Sequence, residues 1–232
     1  MSSPSMTGDP VPRSGFGRIE TATMHHQVYE EIKRHIMAGR FRPGETFSMH
    51  AFATALGTST TPVREAIRRL AAENAVNVRP KRALMIPEMS LARFDEIGEV
   101  RIALEGMATE RAARHVGEAD IAEIGRLADE AEAARLAHDV RLYLAKNQEF
   151  HFRVYRSAPT QILMPMIESL WLQIGPVQGL HTDAGIGVGA ECHHVIVDAL
   201  RRRDARAARR AMAEDIQTGI RYLRANAHFF ES

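Results

Sequence analysis

Apolar residues first recur at helical spacing from Val28. Val28, Tyr29, Ile32 and Ile36 fall on one face, which predicts an amphipathic helix. Gly39 stops it, and Arg42-Pro43-Gly44 predicts a turn. A short second helix begins near Ser48, turns Phe52 and Leu56 inward and ends at Gly57. Thr61 reads as the N-cap of a third helix, with Pro62 at its first position and Val63, Ile67 and Leu70 inward. The period then changes from helical to two. Val76 alternates with Val78, and Leu84 with Ile86, around the polar tip Arg79-Pro80-Lys81-Arg82; this predicts a β-hairpin.

Pro87 to Ser90 reads as a boundary, and beyond it the pattern predicts helices only. Ser90 caps a long helix marked by Phe94, Ile97, Val100, Leu104 and Met107. Ile121, Ile124, Leu127 and Ala131 mark a second, and Leu144, Asn147, His151 and Val154 share the stripe of a third. A fourth runs from Pro159 to about Leu180 with a bend at Pro165, and two more cover about Glu191 to Leu200 and Ala205 to Ala225. Ala-rich helices with short connections imply an antiparallel bundle. The fold class is therefore mainly α: three helices plus a β-hairpin wing, then an all-α bundle. The expected division is a disordered tail at residues 1–22, rich in Pro and Ser, a first domain at 23–87 and a second at 88–228.

Composition narrows this little, but charge does more. The chain has 232 residues, 45% hydrophobic and 25% charged, as soluble globular chains do. No apolar run approaches the ~18 residues of a membrane span. No secretory signal stands at the start, and Cys192 is the single cysteine, so a cytoplasmic location without membrane contact is expected. The net charge of +1 hides an asymmetry. Met24 to Pro87 holds ten Lys/Arg against five Glu, a surplus of five cations; Glu88 onward holds 18 Lys/Arg against 22 Asp/Glu, a deficit of four. Only the first domain is built to meet a polyanion.

Two short helices joined through Gly57 and a Thr58-Ser59-Thr60-Thr61 turn make a helix-turn-helix. Such a unit inserts the N-terminal end of its second helix into the DNA major groove. Ser59, Thr60 and Thr61 offer hydroxyls and free backbone N–H groups to phosphates there. Arg64 and Arg68 are one turn apart, opposite Val63, Ile67 and Leu70, and Arg can donate two hydrogen bonds to guanine. Arg79, Lys81 and Arg82 at the hairpin tip can reach the DNA backbone or minor groove. Arg69 points about 100° from its neighbour and reads as an ordinary surface arginine.

The run from Val28-Tyr29-Glu30-Glu31-Ile32 through Arg42-Pro43-Gly44-Glu45 to Thr61-Pro62-Val63-Arg64-Glu65-Ala66-Ile67-Arg68-Arg69-Leu70 resembles the winged helix-turn-helix of GntR-type transcriptional regulators. Glu99-Val100-Arg101, Leu104-Glu105-Gly106, Glu149-Phe150-His151 and the stretch from His193 to Met212 resemble the all-helical FCD effector domain of the FadR subfamily. The resemblance implies a homodimer on a pseudo-palindromic operator, usually a repressor released by a small metabolite. It also places His50 where the family can carry a DNA-contacting Arg. Thr60 stands where the family usually has Arg, and Asn74 and Ala83 where it usually has Gly.

The bundle carries polar residues on apolar stripes. Asn147 and His151 are one turn apart, His193 shares a stripe with Ile196, Val197 and Leu200, and Asp215 shares one with Ala208, Ala211 and Tyr222. Burying such groups costs several kcal/mol unless they are paired or bound. The FCD resemblance implies a divalent-metal site at Asn147, His151, His193 and Asp215, with the carboxylate moved from the first position to the last. Two His and one carboxylate suit a transition metal such as Zn²⁺, Ni²⁺ or Mn²⁺. The alternative is that Asn147 and Asp215 hydrogen-bond the histidines or the effector without metal. Arg101, with Asn147, His151 and His193, is an expected effector contact. Its guanidinium would pair with a carboxylic acid or, alternatively, with Glu105 one turn on. Tyr155, Trp171 and Gln173 are further candidates for a pocket lining.

The rival function class is a metal-dependent helical-bundle enzyme with an adaptor in front. It lacks a general base: Glu149 precedes His151 but points to another helix face. The run Gly185-Ile186-Gly187-Val188-Gly189 lacks phosphate-loop spacing and reads as a loop, Arg201-Arg202-Arg203 as a solvated helix end, and His25-His26 as partnerless. No residue is assigned a catalytic role.

Overall fold

The computed structural model describes residues 22–79, 83–180 and 190–225. Residues 1–21 of the expected tail, Lys81 and Arg82 of the hairpin tip, and the Gly185–Gly189 run lie outside the described residues, while Ala22 already belongs to the first helix.

The N-terminal part opens with α1 (Ala22–Met37), ended by Gly39 in the left-handed conformation at φ +65°. Strand β1 (Thr46–Ser48) leads into α2 (Met49–Ala55), whose N-cap is Ser48, with Oγ accepting from the Ala51 amide at 3.0 Å. Phe41, Phe47 and Phe52 pack edge-on beneath them. Helix α3 (Thr60–Ala72) buries Pro62, Val63, Ala66, Ile67 and Leu70. Its N-cap is Ser59, not Thr61, so Pro62 sits third in the helix; that position needs no amide hydrogen, because the first four amides of a helix have no partner within it.

The wing is part of a sheet larger than a hairpin. β2 (Asn77–Val78) and β1 both pair antiparallel with β3 (Ala83–Met85), in the order β1-β3-β2. Thr46 faces Met85 on one side and Asn77 faces it on the other. Asn74 takes φ +59°, the conformation for which glycine would otherwise serve.

The second part is helical throughout its described residues. α4 (Leu91–His115) starts on Ser90 as expected, Oγ accepting from the Arg93 amide at 3.3 Å. α5 (Glu118–Leu136), α6 (Val140–Arg156), α7 (Leu163–Gln178), α8 (Ala190–Arg201) and α9 (Ala205–Ala225) follow. Pro165 lies in the first turn of α7, where it is tolerated, and the proline inside the helix is Pro176. Trp171, Tyr155, Phe94 and Phe150 are the largest fully buried side chains. Arg201, Arg202 and Arg203 are exposed, as expected of a solvated helix end, and from there Arg203 donates to the Val116 carbonyl at 2.9 Å and pairs with Glu118.

The two parts join backbone to backbone. A Cβ on Gly39 would lie 2.6 Å from the Gly179 nitrogen, so only glycine permits α1 and α7 to approach this closely. Beside this contact, Lys33 Nζ meets Glu168 Oε2 at 2.6 Å, the lysine being buried. α7 therefore touches the first part along one face and lines the bundle interior with another.

Candidate functional site

The exposed face of α3 is built by its amphipathicity. Burying Val63, Ile67 and Leu70 leaves Thr61, Arg64 and Arg68 outward. Ser59 is exposed and its hydroxyl makes no capping bond; Thr60 is half-buried. Arg68 is paired with Glu65 at 2.7 Å, whereas Arg64 makes no ion pair among the described residues. Arg69 turns the other way, with its guanidinium 3.6 Å from the Tyr29 ring and its Nε donating to Glu73. His50 on α2 and Arg79 beside the wing are both exposed. Outside this face, His26 lies 3.9 Å from Glu30 rather than standing alone.

The second constellation is interior. α6 supplies His151, α8 supplies His193 and α9 supplies Asp215, all buried. His151 Nε2 lies 3.2 Å from Asp215 Oδ2, and His193 Nε2 lies 3.6 Å from Asp215 Oδ1. The three donor atoms fall within 4.8 Å of one another. Phe150 stacks on the His193 ring at 4.1 Å, and Trp171 lies 5.4 Å from that of His151. His194, next in sequence, is turned outward to Asp129.

A cavity of about 60 Å³ opens beside the cluster. At about 10–15 Å³ per water-sized group, it accommodates only a small ligand. Arg101, Tyr143, Asn147, His151, Gln178 and Asp215 are its polar lining, with Phe94, Ile174 and Leu223 among the apolar groups. Asn147 therefore shares the cavity with His151 and Asp215. Tyr155 and Trp171 lie buried behind the lining rather than in it, and Gln173 faces Arg93 at 2.6 Å.

Arg101 is engaged. Its Nε donates to Glu105 Oε1 at 2.6 Å and its Nη2 to Oε2 at 3.3 Å, and the guanidinium lies 4.8 Å from the Trp171 ring. The Glu105 pairing, one of the two partners expected for Arg101, is thus formed. Burial would lower the arginine's proton affinity, but Glu105 outweighs it and the net direction is up. Glu105 also accepts from the Tyr155 hydroxyl, whose oxygen lies 3.0 Å from His151 Nδ1. This buried chain of Arg101, Glu105, Tyr155 and His151 was not read from the sequence. Its trace there is the one-turn spacing of Arg101 to Glu105 and of His151 to Tyr155.

Burial pushes His193 down to about 4, against the pull of Asp215. Burial would raise the Asp215 carboxyl, but the contact with His151 and the neighbouring His193 and Arg101 hold it below its ordinary value.

The donor set fits a divalent transition metal. Both ring nitrogens of His193 are buried without a hydrogen-bond partner, a costly arrangement that a cation at Nε2 relieves in part. One ligand atom from each of His151, His193 and Asp215 lies within 4.8 Å of the other two, near enough for a single ion to be shared among them.

Comparisons with known proteins agree across both parts. The family model "Bacterial regulatory proteins, gntR family" matches residues 24–86 and "FCD domain" matches residues 96–218. "HTH-type transcriptional regulator McbR" of Escherichia coli is 32% identical over 215 residues, covering 90% of this chain and 96% of that protein. "Probable D-xylose utilization operon transcriptional repressor" of Paenarthrobacter nicotinovorans is 30% identical, covering 91% and 92%. The solved structure of E. coli McbR/YncC superposes with a TM-score of 0.84 at 30% identity, over 90% of this chain and 100% of that one.

Proposed function

From the premise that this chain belongs to the GntR family of DNA-binding transcriptional regulators, carries an FCD effector domain and is not an enzyme, we propose a metal-dependent repressor released by a small organic acid. It acts in the cytoplasm as a homodimer on a pseudo-palindromic operator. Residues 23–87 form the reading head and residues 88–228 the effector half. Among the described residues no helix is long and apolar enough to cross a membrane.

In the head, Ser59, Thr60 and Thr61 hold phosphates, Arg64 and Arg68 read base edges, and His50, Arg79, Lys81 and Arg82 add contacts along the groove. The unpaired Arg64 supports this, since it can bind a base without breaking an ion pair. In the effector half, His151, His193 and Asp215, with Asn147 beside them, hold one Zn²⁺, Ni²⁺ or Mn²⁺. The metal would supply an electrophilic site for the effector's carboxylate. Arg101, Asn147, His151 and His193 bound the effector.

One observation carries the link between metal and acid. Arg101 is neutralised by Glu105 behind it, so among the described residues Asp215 is the uncompensated charge on the cavity wall. A bare site of this charge repels a carboxylate; a dication held by these residues would reverse the sign and favour one. Effector binding then shifts the population between DNA-competent and incompetent arrangements of the two heads.

The test is fluorescence anisotropy on DNA from upstream of the protein's own gene, using chelated and metal-loaded protein and a panel of small carboxylic acids. Affinity should fall with salt, and an acid should lower it further only in the loaded protein. Unchanged affinity with every acid that binds the cavity would overturn the reading.

A further inference from the structure

We infer that Glu105 and Tyr155 are positioning residues for the cation site: they fix the His151 imidazole with its proton on Nδ1, so that Nε2 faces Asp215 as a bare lone pair. This rests on the reading of His151 as a metal ligand.

The Tyr155 hydroxyl has one hydrogen and three polar neighbours: Glu105 Oε2, His151 Nδ1 at 3.0 Å and Met212 Sδ at 3.5 Å. Glu105 is fully buried and doubly bonded by Arg101, which holds it as a carboxylate. A carboxylate is a far stronger acceptor than a thioether. Were the hydroxyl hydrogen turned to His151 instead, the phenol oxygen would face the carboxylate with lone pair against lone pair. The hydrogen therefore points to Glu105. The phenol oxygen is left as acceptor, and His151 Nδ1 must be the donor.

With its proton on Nδ1, a neutral His151 presents a lone pair from Nε2 to Asp215 Oδ2 at 3.2 Å. Two acceptors in contact in a buried site repel, so something positive must lie between them. His193 Nε2, buried without a hydrogen-bond partner, faces the same carboxylate at 3.6 Å. The Nε2 lone pairs of both histidines and an Asp215 oxygen would together hold one metal ion. Arg101, Glu105 and Tyr155 thus bias the cluster toward a cation before any cation arrives. They act through His151 and touch no metal themselves, in the manner of the outer partners that orient metal-bound histidines.

The experiment uses the full chain, with Zn²⁺ alone as the probe. Two-dimensional ¹⁵N NMR of chelated wild type reads the tautomer of His151, assigned by the loss of its signals in His151→Asn. Zn²⁺ affinity is then measured by competition with a chromophoric chelator, and fluorescence of Trp171, the single tryptophan, reports binding beside His151. Tyr155→Phe keeps the ring and removes only the relay oxygen. We expect the Nδ1–H form in wild type, a mixed or Nε2–H form in Tyr155→Phe, and Zn²⁺ affinity in that variant reduced about 10–100-fold. A purely structural role for Tyr155 would lower the melting temperature and leave tautomer and affinity alone.

The inference is overturned if wild-type His151 carries its proton on Nε2, or if Tyr155→Phe binds Zn²⁺ within twofold of wild type. Should Tyr155→Phe fail to fold, the wild-type tautomer alone decides. If wild type binds no Zn²⁺ at all, the metal reading above fails, and the tautomer still decides this inference separately.

Discussion

The exposed face of α3 and the His151–His193–Asp215 cluster are both polar constellations, but they stand in opposite surroundings. Ser59, Thr61, Arg64 and Arg68 are exposed, and water satisfies them whether or not DNA is present. The folded state asks nothing of them beyond α3 itself. The cluster is buried under Phe150 and Trp171, where unpaired polar groups cost several kcal/mol. The difference teaches how each carries function. On the surface, affinity for a ligand can change with little effect on stability. In the interior, ligand binding and stability are one equilibrium, so occupancy can move helices α6, α8 and α9, and with them the packing of α7 against the head.

The sharpest test of the contrast is Asp215→Asn. It removes the only carboxylate of the cluster and should weaken Zn²⁺ binding by more than about 100-fold in a chelator competition, while chelated protein still binds DNA. Next in size is a pH effect. The folded His193 pKa is depressed to about 4, so the unfolded chain, near 6.5, takes up a proton that the folded state refuses. Stability of chelated protein should hold above about pH 6.5 and fall as pH drops toward 4, by of order 3 kcal/mol, and the depressed Asp215 adds a further loss only below its ordinary value of 3.8. Thermal melts across pH 4–8 check this, and His193→Gln should flatten the limb.

Glu168→Ala should come third. It strands the buried Lys33 ammonium and should cost about 2–3 kcal/mol in a urea unfolding curve, whereas Lys33→Met with Glu168→Leu should recover most of the loss. Arg64→Ala reverses the pattern: operator affinity falls by about 1–3 kcal/mol in anisotropy titrations, and the melting temperature stays put. Smallest is Arg69→Ala, which loses its contacts with Tyr29 and Glu73 and should leave DNA affinity nearly unchanged.

Period and punctuation in the sequence made most elements legible. Val28 to Ile36, Gly39, Ser48 and Ser90 behave as their chemistry implies. The misplacements are local. Ser59 and Thr61 are both good caps, and the chain alone does not say which one starts α3. Pro165 and Pro176 differ only in whether the helix has already begun. β1 has three residues, too few to show alternation, and exists because β3 offers it an edge. His151, His193 and Asp215 were visible as polar interruptions of apolar stripes. Glu105 was legible as a partner for Arg101 and Tyr155 as a candidate lining residue, but their bond to each other was not, because each also lies one turn from a polar partner on its own helix and looks locally satisfied. That the two pairs meet across α4 and α6 is a fact of packing, absent from either helix alone.

The central claim is that the buried cluster is a cation site through which a ligand governs DNA binding. Elemental mass spectrometry of untagged, purified full chain, before and after mild chelation, with melting temperature followed in parallel, tests its foundation most directly. About one equivalent of a transition metal, lost on chelation together with several degrees of melting temperature, is the predicted result. Protein that carries no metal, and that gains no stability on addition of Zn²⁺, Ni²⁺ or Mn²⁺, would contradict it.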